Sequence, residues 1–491
     1  MSPLARGLPK LMLTALMAVA MAGAALGLVL AGKAAVLLVL VLIFGLIGLS
    51  LVRDLEYVAF LGLAASLPIR LNMRLSEPME YARAHSANGF IISLTDCLVI
   101  VLLVGWSRRI LFYDQPIRWL PSISIPMFIL LFWVIMGAVQ TVEDPVSAVH
   151  MVLRYVECCL VLMYMVNNIR PIYDYIRHSL VMCGMLAFEV LLGLGQGATG
   201  GFNFGMEVLG APVKRSVERT GSRITGTIPT PNAFAALLST FILFPISLLF
   251  SHNRVHKMAM VGLIVLTGFA MLGTKSRGVW LSSAIVFGYL IFALLRTRFS
   301  KTRSGFGVIW IVMVLGILAF ATPGVTDRLF ADDFGSAEAR PYMLQIATNM
   351  MEAKPWFGFG WDNYTLYFNA YDDTDIMHSE AFPFVVHNGW AYTAVEYGLP
   401  AAGIMFLIVL LVLKRTLRFM PESWSFPAVG AFFMPWGLVS RFIQTPLYVN
   451  QPLNDVTLFY LMGMCLTFRE LADRDAERRA KGLPDPVLTL S

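Results

Sequence analysis

The chain has 491 residues, 57% of them hydrophobic and 14% charged, with a formal charge of +6 and a mean hydropathy of +0.70. So little charge excludes a soluble globular domain of this length and points to an all-α, polytopic transmembrane helical bundle. The positive balance is not a nucleic-acid signature, because Lys and Arg collect in short loops and in the tail, where they anchor membrane helices on the cytoplasmic side.

In chain order, Arg6 and Lys10 precede a long apolar run, as in a signal sequence. The run is about 20 residues long and a second begins almost at once, so a retained first span is the better reading. At ~20 residues per crossing, the hydropathy pattern gives roughly 14 segments, or 12 to 13 if short ones merge. They lie near 11–31, 34–52, 55–70, 89–106, 121–140, 149–167, 178–197, 233–251, 258–273, 279–295, 306–322, 389–413, 425–440 and 456–468; the third and the last two are short. This divides the chain into an N-terminal bundle (1–322), a long periplasmic loop (323–388), C-terminal helices (389–468) and a solvated cytoplasmic tail (469–491).

The positive-inside rule tests the alternation. With the N-terminus inside, Arg53, Arg108, Arg109, Arg118, Arg170, Arg177, Arg254, Lys257, Arg296, Lys414 and Arg415 all fall on the cytoplasmic side, while the base-free 141–148 connection falls outside. Against that trend, Arg215, Arg219, Arg223 and Arg277 fall in outer segments. A base kept close to hydrocarbon on the wrong side usually has an anionic partner. In the long loop, Tyr342, Ile346 and Met350 form one apolar stripe of a short helix, and Gly358 and Gly360 permit a tight turn against a ligand or a neighbouring helix.

Arg223, Arg277 and His387 come from distant parts of the sequence, yet all are expected at outer helix ends. Guanidinium forks bind phosphate oxygens and stay charged at any working pH. An imidazole can take a proton from an attacking hydroxyl. Each has a plainer reading: an outer arginine snorkels to headgroups, and a histidine at a helix start is an interfacial hydrogen-bonding residue. Arg340 opens a helix and either faces the site or does not; Arg441, Gln444 and Asn450 form another outer turn able to touch sugar hydroxyls. Asp372, Asp373, Asp375 and His378 read as a solvated acidic loop rather than a cation site. Asp96 and Glu189 lie inside apolar segments, as in proton or ion pathways, and Arg154 pairs with Glu157. No Walker motif, dinucleotide fingerprint or nucleophile elbow stands in the right context, so no cofactor and no metal is expected.

Taken in order, Arg223-Ile-Thr-Gly226, Pro231-Asn232-Ala233, Ser276-Arg277-Gly278, Pro355-Trp-Phe-Gly-Phe-Gly360, His387-Asn388 and Glu396-Tyr-Gly-Leu-Pro400 resemble the bacterial O-antigen ligase/polymerase superfamily over about residues 200–415. The resemblance implies a metal-independent, inverting glycosyltransferase of the inner membrane with both termini cytoplasmic and its site periplasmic. Its donor would be an undecaprenyl-diphosphate-linked glycan and its acceptor a glycan or glycolipid. Carried over, Arg277 and Arg223 hold the diphosphate and His387 activates the acceptor hydroxyl. Arg340, Arg219, Arg215, Asn388 and Arg441 would bind substrate. The competing reading is a flippase or transporter of the same lipid-linked glycan, although polar groups crowd one face rather than the midplane.

Overall fold

The computed structural model describes residues 54–68, 72–74, 91–140, 145–199, 223–228, 230–249, 254–296, 339–361, 363–375, 378–381, 384–421, 423, 425–448 and 455–483. The expected segments at 11–31, 34–52 and 306–322, together with Arg215, Arg219 and Asn450, lie outside these residues.

The described chain is almost entirely helical. Helix α1 (Leu55–Ser66) is followed by a two-stranded antiparallel ribbon, β1 (Asn72–Arg74) with β2 (Ile91–Ser93), in which Met73 faces Ile92. Then come α2 (Leu94–Tyr113), α3 (Pro121–Gln140), α4 (Pro145–Asn167) and α5 (Ile172–Thr199). The next run is α6 (Pro231–Phe241), α7 (Leu243–Leu249), α8 (Arg254–Gly273) and α9 (Arg277–Arg296). After α10 (Ala339–Ala353) and the short α11 (Tyr364–Tyr367) and α12 (His378–Ala381), the chain closes with α13 (Gly389–Tyr397), α14 (Leu399–Thr416), α15 (Phe426–Tyr448) and α16 (Val456–Ala480). Among the described residues five stretches are long and apolar enough to cross a membrane: Pro121–Gln140, Ile172–Ala198, Pro231–Leu249, Leu399–Thr416 and Phe426–Pro446. The protein is a multi-pass membrane protein.

Helix starts follow local chemistry. The Ser93 hydroxyl and the Asp96 carboxylate form a reciprocal capping box on α2. Thr230 caps α6, with Pro231 in the first turn where a missing N–H costs nothing. Asp455 caps α16 through the Thr457 amide. The first half of α16 is buried on all sides, from Val456 to Phe468. It packs against α15, where Gly430 leaves room for the Phe468 ring, and against α4, where Gly463 sits on Met165. In contrast, α3 presents Ile125, Phe128, Ile129, Phe132 and Val139 outward, as a lipid-facing helix does.

Several boundaries differ from the sequence reading. The final two segments, read as short, are helices of 23 and 25 residues. The span expected at 389–413 is two helices, broken at Gly398, whose φ is +86°. The stretch 469–480, expected to be a solvated tail, continues α16, and Asp475 there is buried against the Ser425 hydroxyl (2.6 Å) and Arg479. Polar residues past 468 obscured this, because helix periodicity is carried there by ion pairs such as Arg469–Asp473 rather than by apolar residues.

The long loop has its own small core. Met343, Ile346, Ala347 and Met350 of α10 pack with Phe359, Tyr364, Val385, Val386, Tyr392 and Val395. The buried stripe is therefore 343–346/347–350. Tyr342, expected on it, is 39% exposed, because the i+3/i+4 rows that meet α13 begin one residue later.

Candidate functional site

The turn Pro355–Gly360 is fastened by backbone bonds to the tail of α13, Phe359 N–H to Val395 O (2.9 Å) and Gly360 N–H to Glu396 O (2.9 Å), and to the start of α14, Leu399 N–H to Pro355 O (2.9 Å). Gly358 and Gly360 have φ of +66° and +90°. A Cβ at Gly358 would stand 2.4 Å from the Val395 carbonyl, and one at Gly398 would stand 2.0 Å from the Trp356 carbonyl. Of the two partners anticipated for this turn, the structure gives it a neighbouring helix. Trp133 of α3 completes the seat, stacking on Phe357 and donating from Nε1 to Trp356 O (2.8 Å).

With that turn locked at its tail, α13 presents its head at the opposite end, where His387 and Asn388 precede it. The Asn388 side chain caps the helix, accepting from the Trp390 and Ala391 amides (both 3.1 Å). His387 is half-buried, and its Nδ1 lies 3.2 Å from Val385 O. With Nδ1–H donating to that carbonyl, Nε2 is the ring nitrogen left with a lone pair. The α10 tail runs into the same turn, so the α10 head, which carries Arg340, lies on the same side as the α13 head; Met343 and Val385–Val386 share the loop core.

The arginine side is assembled from two remote segments. Arg223 donates from Nε to Thr274 O (2.7 Å) and from a terminal nitrogen to Asn232 Oδ1 (2.8 Å), and Ile224 N–H bonds Gly273 O (3.3 Å). Arg223 is thereby fixed to the turn that opens α9 at Arg277. In that turn Lys275 holds φ +52°, an uncommon backbone for a residue with a side chain. The 225–227 loop is gripped from α5. Gln196 accepts from the Thr225 and Gly226 amides (3.0 and 2.9 Å) and donates to Gly226 O (2.8 Å). Glu189 accepts from the Thr227 amide (2.9 Å) and from its hydroxyl.

Helix α15 is the wall shared by both halves. Phe442 packs edge-on to Trp390 in the first turn of α13 (5.6 Å), and Trp436 packs on Tyr289 of α9 (4.6 Å). Arg441, one residue before Phe442, pairs with Asp455 at the head of α16 (3.3 Å). The starts of α13 and α16 thus meet the last turns of α15, and α9 packs along the same helix at Tyr289. Gln444 is not in an outer turn as expected; α15 continues through it to Tyr448 and buries it completely.

The two deep acids make structural bonds. Asp96 caps α2 and pairs with Arg154 (2.6 Å), which also holds Glu157 (2.9 Å), while Glu189 clamps the 225–227 loop. In the long loop Asp372 accepts from the amides of Thr374 (3.0 Å) and Ser379 (2.6 Å), and Asp373 from Gln345 (2.8 Å). Desolvation pushes the Asp372 carboxyl up, but the hydrogen bonds from Thr374 and Ser379 outweigh it and hold the group below the usual carboxylate range.

Sequence reasoning missed Gln196 as the clamp, and Asn232 as the acceptor that orients Arg223. Asn232 had a signal, an amide side chain in the first turn after a proline, where it can reach back over the helix head. Gln196 had none, because an isolated glutamine in an apolar helix does not disclose its partner.

A family model described as O-antigen ligase matches residues 262–407. The match includes Arg277, Arg340, the 355–360 turn and His387–Asn388; Arg223 and Arg441 lie outside it. No curated protein matches the chain.

Proposed function

We propose that this chain, a member of the O-antigen ligase superfamily and hence a membrane glycan ligase or polymerase-type enzyme, transfers a glycan from undecaprenyl diphosphate to an acceptor sugar hydroxyl, with inversion and without a metal ion. The site is the periplasmic end of the bundle, and the acceptor is a glycan or glycolipid. The observation that carries this reading is the double anchoring of Arg223 on Thr274 and Asn232, which binds one arginine segment to the turn that opens the helix of the other.

In this mechanism Arg277 and Arg223 hold the diphosphate, and Arg340 and Arg441 line its surroundings. A diphosphate is already a competent leaving group, so catalysis consists largely of stabilising the charge that develops on it with donors fixed in place beforehand. His387 Nε2 takes the proton of the acceptor hydroxyl as its oxygen bonds to the anomeric carbon. The bond from that carbon to the diphosphate oxygen breaks, and its electron pair leaves with the diphosphate. Attack from the opposite face inverts the anomeric configuration. Asn388 holds the imidazole in place by fixing the head of α13.

The test uses full-length protein purified in detergent with a synthetic undecaprenyl-diphosphate donor, where turnover without membrane compartments excludes a pure flippase. Arg277→Ala and His387→Ala should each lower transfer by about 100-fold or more at unchanged membrane insertion. Full transfer by both variants would overturn the assignment.

A further inference from the structure

We infer that Gln444 is a positioning residue that sets the relative height of the two arginine-bearing segments; the inference rests on the glycosyltransferase reading above. Gln444 is fully buried in α15. Its side-chain nitrogen lies 2.8 Å from the Ser239 hydroxyl of α6, 3.0 Å from Ser282 of α9 and 2.7 Å from Ser440 of its own helix. The hydrogen count decides how these bonds run. Ser239 already donates to Ala236 O (2.9 Å) and Ser282 to Val279 O (3.0 Å), so each hydroxyl can only accept from Gln444. An amide nitrogen carries two hydrogens. The two hydrogens are shared among three acceptors, one on α6, one on α9 and one on α15 itself.

Gln444 is thus a strut between the helix whose head orients Arg223 and the helix whose head is Arg277. Asn232, which accepts from Arg223, is seven residues up α6 from Ser239, or ~10.5 Å along the axis, and Arg277 is five residues up α9 from Ser282, or ~7.5 Å. An axial slip of either helix is transmitted to the guanidinium at its head. An apolar side chain would fill this space without the buried Oε1, which has no hydrogen-bond partner among the described residues. A polar residue in an apolar bundle core contributes register more than stability. Arg441 stands one helical turn before Gln444 on the same helix, so the strut fixes a third arginine against the other two.

The test measures donor KM and kcat with the full-length enzyme in detergent and a synthetic undecaprenyl-diphosphate disaccharide. Gln444→Met keeps the length and removes both donors. It should raise donor KM about tenfold, since displacements of about 1 Å can cost up to 100-fold, with only a small shift of the thermal midpoint. Ser239→Ala with Ser282→Ala removes the two acceptors and should reproduce the effect. Adding Gln444→Met to that pair should cost little more, because all three act through the same two bonds. An unchanged donor KM in Gln444→Met overturns the inference, and a lower yield or midpoint at unchanged KM marks Gln444 as merely structural. Should Gln444→Met not fold, the serine pair decides on the same readout. Arg277→Ala run in parallel separates the two failures. If it retains transfer, the functional reading falls; if it loses transfer while Gln444→Met keeps donor KM, only the strut falls.

Discussion

At the two ends of the bundle Arg109 and Arg223 are held by different kinds of partner, although the second end has a carboxylate pair of its own in Arg441–Asp455. Helix α5 joins the two ends: Asp174 near its start lies at one end and Gln196 near its tail at the other, ~33 Å apart by helical rise, about the thickness of a bilayer core. At the first end, Glu56 receives Arg109, Arg170 (3.3 Å) and the Tyr164 hydroxyl (2.6 Å), while Arg109 also reaches Asn168 (2.7 Å). Carboxylate meets guanidinium, and the cluster ties α1, α2, α4 and the 168–171 turn together. At the second end, both described bonds of Arg223 go to neutral oxygens, a carbonyl and an amide. Such bonds orient the guanidinium through neutral oxygens. The first arrangement suits a structural latch, and the second fits the anionic-substrate site proposed above.

The contrast can be broken most severely at the joint that holds the α13 tail. Gly398→Ala places a Cβ 2.0 Å from the Trp356 carbonyl at a φ that disfavours a side chain. We expect loss of both folded yield and transfer, read by membrane-extract yield and turnover. Glu56→Ala tests the latch alone. Removing one partner of this partly buried ion cluster costs less than the ~3–5 kcal/mol of a fully buried pair, so thermal stability should fall while kcat/KM of the surviving folded enzyme stays near wild type. Arg223→Ala should do the reverse, lowering kcat/KM by about 100-fold with little loss of stability. Equal behaviour of these two variants would erase the distinction between the ends.

Smaller effects sharpen it. The Asp372 carboxylate is held below its usual pKa by the folded loop, so its stabilising contribution is present above the unfolded value and disappears as pH falls through the folded one. Protection of the Ser379 amide, taken relative to its intrinsic exchange rate at each pH, should therefore fall on acidification, and Asp372→Asn should remove most of that pH dependence. Trp133→Phe keeps the stack on Phe357 and loses the bond to Trp356 O; it should cost about 1 kcal/mol, seen as a modest drop in thermal midpoint.

Much of this was legible in the chain itself. Long apolar runs gave the spans at 121–140 and in the 178–197 region, since a helix that must satisfy its backbone in lipid leaves an unbroken hydropathy signal. Glycines in the 355–360 turn marked a close backbone approach. Polar residues inside helices were harder to read. Gln444 looked like part of an outer turn, Glu189 and Asp96 like a proton path, and 469–480 like a loose tail. In each case the partner lies far away in sequence: Ser239 and Ser282 for Gln444, Thr227 for Glu189, Arg154 for Asp96, Ser425 for Asp475.

By itself, then, the sequence determined that the chain lives in a membrane as a helical bundle, and it offered Arg223, Arg277 and His387 as candidates, because hydropathy, charge asymmetry and motif order are local properties of the polymer. Only the tertiary structure decided what fixes those residues: the Asn232 and Thr274 oxygens on Arg223, the α13 head beneath His387 and the shared wall of α15. Hydrogen-bond pairing between segments tens to hundreds of residues apart is set by packing, and no window of sequence contains it.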